Sequence, residues 1–132
     1  MQIRISNRYK DKIIEYVIPI LLSIVIATIL MLPEFLKHVG IFGNDTIFQL
    51  SRFYDASKQI QNHNFSYFQM NYGMGQTGRI INAIYGPLFA YFNGILVLIA
   101  GNWFNYQVIL AYLISLLGAG SMYYLLKQVG IN

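Results

Sequence analysis

The sequence predicts an all-α integral membrane protein, with three transmembrane helices and an amphipathic interfacial helix in the first extracytoplasmic loop. Three observations predict this. The 132 residues are 56% hydrophobic and only 11% charged, with a mean hydropathy of +0.48, whereas a soluble domain carries about 25% charged residues. Three apolar runs, at 13–33, 85–101 and 105–126, approach or reach the roughly 20 residues needed to cross the hydrocarbon. One long polar stretch, 34–84, separates the first two. An aromatic content of 16% excludes a disordered chain. The lack of cysteine excludes disulfide frameworks, thiolate metal sites and cysteine nucleophiles. The net charge of +4 does not point to nucleic acid, because four of the nine basic residues lie within the first twelve positions and the excess is local.

Residues 1–12 form the basic tail, with Arg4, Arg8, Lys10 and Lys12; it places the N-terminus in the cytoplasm. The first span follows, with Pro19 near its start, where a missing amide donor costs least. The run is too long for a secretory signal, and Pro33 to Lys37 offer no small-residue cleavage site, so a retained anchor is expected. The 34–84 stretch is then external. Within it, residues from about 44 to 62 predict a helix, with Asn44 or Asp45 as its cap and Ile47, Leu50, Phe53, Tyr54 and Ile60 along one side. Asp45, Gln49, Arg52 and Gln59 share the other side, with Ala56 between them. Such a helix is expected to lie in the interface plane, its apolar face in lipid or against the bundle. The second span, with Pro87 in its first turn, is barely long enough. Gly101, Asn102 and Asn105 break it from the third, and Trp103, Phe104 and Tyr106 suit an interfacial aromatic belt. Small residues recur at four-residue spacing: Ser23 and Ala27; Gly86, Ala90 and Gly94; Ala111, Ser115 and Ala119. They predict close packing between helices in lipid.

Asp45 is the candidate catalytic residue. Apolar surroundings raise a carboxylate's proton affinity while a helix N-terminus keeps it ionised, which suits a general base; the simpler reading is an ordinary N-cap. Arg52 can grip a phosphate or pair with Asp55 three residues on, and spacing alone favours the pairing. Gly73 to Gly78 match G-x-G-x-x-G by letter, but no acidic residue follows Asp55, so a dinucleotide site is excluded and a turn, or a backbone approach to a ligand, is expected. His38 and His63 lie 25 residues apart and give no support for a divalent metal. No cofactor is expected, and the sequence leaves a divalent metal open without supporting one. Asn44-Asp45-Thr46 and Asn64-Phe65-Ser66 fit a glycosylation sequon, a pattern common by chance.

Three stretches carry a resemblance: Gly43-Asn44-Asp45-Thr46-Ile47-Phe48-Gln49-Leu50-Ser51-Arg52, the turn Tyr72-Gly73-Met74-Gly75, and Tyr85-Gly86-Pro87-Leu88-Phe89-Ala90-Tyr91. Together they resemble the N-terminal part of YfhO-type bacterial membrane proteins, which look like members of the type-C (GT-C) glycosyltransferase superfamily. The resemblance implies a multi-span enzyme of the bacterial plasma membrane. It would transfer a sugar from a polyprenyl-phosphate donor to an envelope acceptor, a teichoic acid or glycolipid. Asp45 matches the family's acidic position and Arg52 its basic one. Gln49 stands where relatives often have histidine; glutamine shuttles no proton and is expected to bind substrate. Arg79, Tyr85 and the 73–78 turn would line the lipid-facing entry.

Relatives have many more spans, so the chain is expected to be an N-terminal portion, from a truncated reading frame, a split protein or a shortened piece. It would be inactive without the remaining helices of its parent or of a partner subunit. The alternative is a non-enzymatic membrane scaffold or accessory subunit that binds a partner through its small-residue stripes, with Asp45 only a cap. A transporter fragment is disfavoured, since no span carries a charge near its centre.

Overall fold

The computed structural model describes the backbone of residues 2–130 and the side chains of 14 and 16–130. The basic tail and Glu15 lie outside the residues whose side chains are described. Among the described residues there are six α-helices and one 3-10 turn, and no strand. In chain order these are α1 (Gln2–Leu30), α2 (Leu32–Lys37), α3 (Thr46–Gln61), the 3-10 turn Met74–Gln76, α4 (Asn82–Tyr85), α5 (Pro87–Ala100) and α6 (Trp103–Gln128). By length and composition, α6 is the one helix among the described residues able to cross a membrane. Its 26 residues rise about 39 Å. The apolar stretches Tyr16–Leu30 and Pro87–Ala100 are shorter; the 14 residues of α5 rise about 21 Å, less than a hydrocarbon core of about 30 Å. Pro19 is not in a first turn. The helix begins at Gln2, so Pro19 sits in its interior, where the chain forgoes one backbone hydrogen bond.

The chain divides into two compact units. One holds residues up to 37 and those from 110 onward. There Ser23 and Ala27 of α1 and Met31 just after it, four residues apart, are buried, Thr28 shares a 2.7 Å hydrogen bond with the Tyr112 hydroxyl, and Tyr16 meets Tyr123 edge to face at 5.7 Å.

The second unit, residues 38–109, is built on α3 and α5. Gly94 of α5 lies directly against α3: a Cβ there would stand 2.9 Å from both the Ala56 Cβ and the Ser57 backbone nitrogen. Small side chains thus let the two backbones touch. The segment between them folds back over α3, with the Met70 amide donating to the Arg79 carbonyl at 2.9 Å and the Asn82 amide to the Phe68 carbonyl at 3.2 Å. The Gln107 side chain clasps Ile41, donating to its carbonyl and accepting from its amide, both at 2.9 Å. Asn102 caps α6 by accepting from the Asn105 amide at 2.8 Å.

The interior of this unit holds polar side chains beside apolar Phe53, Met70, Ala90 and Tyr106, and large apolar side chains lie on its outside. Arg52, Asp55, Ser57, Gln59, Asn82 and Asn93 are buried, while Ile47 is 74% exposed and Leu88 84%. The apolar side of α3 is divided, with Phe53 buried and Ile47 and Tyr54 exposed. From Arg52 to Gln59 its polar side faces the interior, while Asp45 at its start is exposed.

Candidate functional site

The buried side of α3 follows from helical spacing, since Arg52, Asp55, Ala56 and Gln59 recur at three and four residues. Arg52 is 1% exposed. Its Nε donates to the Asn82 Oδ1 at 3.0 Å, its Nη1 to the Gln49 Oε1 at 2.7 Å and its Nη2 to the Gly86 carbonyl at 3.3 Å. The guanidinium also lies 5.0 Å from the centre of the Tyr85 ring, a cation–π distance. Burial pushes the guanidinium below its ordinary proton affinity, with Tyr85 opposing in part. Every one of these partners is formally neutral.

The sequence reading that pairs Arg52 with Asp55 is corrected. Asp55, fully buried, accepts from the Tyr72 amide at 2.6 Å and the Gly73 amide at 3.0 Å, and from the Gln59 Nε2 at 2.6 Å. Gln59 then extends the network. Its Nε2 also donates to the Gln69 carbonyl at 2.9 Å, and its Oε1 accepts from the Ser66 amide at 2.7 Å and from the Tyr91 hydroxyl. Ser51 accepts from the Met74 amide at 3.1 Å. The glycine-rich turn is therefore pinned to α3 rather than free. Its close backbone approach is to α3 itself, since a Cβ on Gly73 would meet the Ser51 carbonyl oxygen at 2.7 Å.

The structure brings Gln49, Arg52 and Tyr85 together and leaves Asp45 and Arg79 apart from them. Asp45 is exposed at the N-cap position of α3 and makes no side-chain capping bond; the Thr46 hydroxyl instead accepts from the Gly43 amide at 2.6 Å. Seven residues of helix separate Asp45 from Arg52 by about 10 Å along the axis. Arg79 is exposed and contributes its carbonyl to Met70. Asp55, Gln59 and Asn82 are the residues that sequence reading did not select. For Gln59 and Asp55 a signal existed, their register with Arg52. For Asn82, thirty residues away, there was none.

His63 closes α3, its amide donating to the Ile60 carbonyl while the Asn64 amide donates to the Gln59 carbonyl, the double bond of a Schellman end. No group of three or more His, Cys, Asp or Glu able to hold a metal occurs among the described residues. Comparison of the chain with protein families, with curated proteins and with solved structures finds no match.

Proposed function

We propose that this chain is the donor-binding part of a membrane glycosyltransferase that moves a sugar from a polyprenyl-phosphate carrier to an extracytoplasmic envelope acceptor of teichoic acid or glycolipid type. The observation that carries this reading is Arg52, a full charge withdrawn from water with only neutral partners. A buried charge is costly until an opposite charge joins it, and a lipid carrier's phosphate supplies one at membrane depth. The acceptor hydroxyl gives its proton to the exposed Asp45 carboxylate, and its oxygen bonds to the anomeric carbon. The bond from that carbon to the phosphate oxygen breaks, and the phosphate departs with the electron pair, held by Arg52 and Gln49.

The exposed apolar side chains of the second unit, beside its buried hydrogen-bonded polar groups, support a lipid setting. Outward Ile47, Ile84, Leu88 and Ile99 form the kind of apolar surface that soluble monomers rarely show. In lipid the hydrophobic effect no longer joins helices, so buried hydrogen bonds and small-residue contacts hold them. In this reading α1 and α6 are spans of a bacterial plasma-membrane protein, α5, too short to cross alone, enters the bilayer only in part, the N-terminus is cytoplasmic and α3 lies at the outer interface. The accessory-subunit reading needs the small-residue stripes free for a partner, and Ala90 and Gly94 are buried within this unit. The test is envelope glycosylation by the full enzyme carrying Asp45→Asn. We expect transfer to fall by about a hundredfold; unchanged transfer would remove Asp45 from the reaction.

A further inference from the structure

Around Arg52 the hydrogen-bond donors outnumber the acceptors. A guanidinium has five N–H groups, and three of them are engaged, by Asn82, Gln49 and Gly86. Asn82 is fully buried. Arg52 can only donate, so it holds the Asn82 carboxamide with Oδ1 toward itself. The Asn82 Nδ2 is thereby turned to a place where it is buried without a hydrogen-bond partner. An unsatisfied buried donor costs about 1–3 kcal/mol. Here such a donor adjoins a cation that lacks a carboxylate, since Asp55 is committed to the 72–73 amides and Gln59.

We propose that Arg52 and Asn82 form a closed binding site for a tetrahedral oxyanion, a phosphate group, with Tyr85 as its movable cover. The proposal deepens the reading of Arg52 given above and rests on it. An anion of this class supplies both missing things at once, negative charge for the guanidinium and acceptor oxygens for its remaining N–H groups and for Nδ2. Tyr85 lies over the guanidinium yet is itself half exposed, and it touches Phe48 edge to face at 5.2 Å. The next residue, Gly86, has φ 77° and ψ 121°, a backbone state that side chains disfavour, and a Cβ there would meet nothing within 4 Å. Asn82 heads the same one-turn α4 and Gly86 accepts from Arg52, so both stay in place and the cover opens by rotation of the Tyr85 side chain alone.

The experiment uses the full chain in phosphatidylcholine nanodiscs, titrated with inorganic phosphate and, separately, with undecaprenyl phosphate placed in the bilayer. The diagnostic variant is Asn82→Asp, which keeps the shape and the acceptor facing Arg52 but puts a carboxylate where the free donor stood. We expect the wild type to bind at least one of the two ligands, and Asn82→Asp to bind about ten- to a hundredfold more weakly while its melting temperature holds or rises. Binding of the lipid alone assigns the site to a carrier headgroup, and binding of inorganic phosphate alone to a soluble oxyanion. Tyr85→Ala, at a half-exposed position, is expected to speed association several-fold. Failure of the wild type to bind either ligand, or equal binding by Asn82→Asp, overturns the site. Phosphate binding that Asn82→Asp abolishes, in an enzyme that transfers no sugar, keeps the site and removes the glycosyltransferase reading instead.

Discussion

Arg52 and Asp55 stand three residues apart on one helix, yet each is satisfied by different groups. The carboxylate takes two loop amides and the Gln59 carboxamide, while the guanidinium takes Gln49, Asn82 and a carbonyl. This division gives the two residues different work. Asp55 holds the start of the glycine turn against α3, and Arg52, in the proposed function, keeps its charge for an incoming group. Asp55→Asn tests the first role. The new Nδ2 would face either a backbone amide or the Gln59 Nε2, and Gln59 cannot turn over while Ser66 and Tyr91 hold its oxygen. We expect a loss of about 1–3 kcal/mol, with faster hydrogen exchange at the Tyr72 and Gly73 amides. Unchanged exchange at both would separate Asp55 from the turn.

At the scale of elements, α3 shows what a sequence carries and what it does not. Apolar periodicity marks a helix here, and the helix runs over Thr46–Gln61. Periodicity cannot say which side faces inward, because that depends on the solvent outside. With water outside, the Ile47 side would be covered; here Ile47 is open and Arg52 enclosed. The pairing of Arg52 with Asp55 was a local inference, and it failed because amides seventeen and eighteen residues further on claim the carboxylate. The resemblance named Gln49, Arg52 and Tyr85, which lie together here; it did not name Asn82, whose place depends wholly on a partner thirty positions earlier. The junction of α3 with α5 is open to a direct test. Gly94→Ala places a Cβ 2.9 Å from backbone of α3, which a rotamer change cannot relieve, and should destabilise the protein by about 1–3 kcal/mol in a detergent melt. A melting temperature equal to the wild type's would mean that the helices do not meet there.

For the whole molecule, sugar transfer as proposed requires the second unit to occupy the outer side of the membrane. The proposed use of a lipid-linked sugar on the outer face requires α3, the glycine turn and Arg52 to be reachable from outside and the basic tail to stay within. The chain has no cysteine, so one introduced thiol reports one position without background. Ser57 is buried and a poor reporter, whereas Gln76, at the tip of the turn, is exposed. The most direct measurement is labelling of Gln76→Cys in intact cells with a membrane-impermeant maleimide. Full labelling before permeabilisation is the predicted result; labelling only after the membrane is opened would contradict the proposed topology and, with it, the delivery of a lipid-linked donor to Arg52.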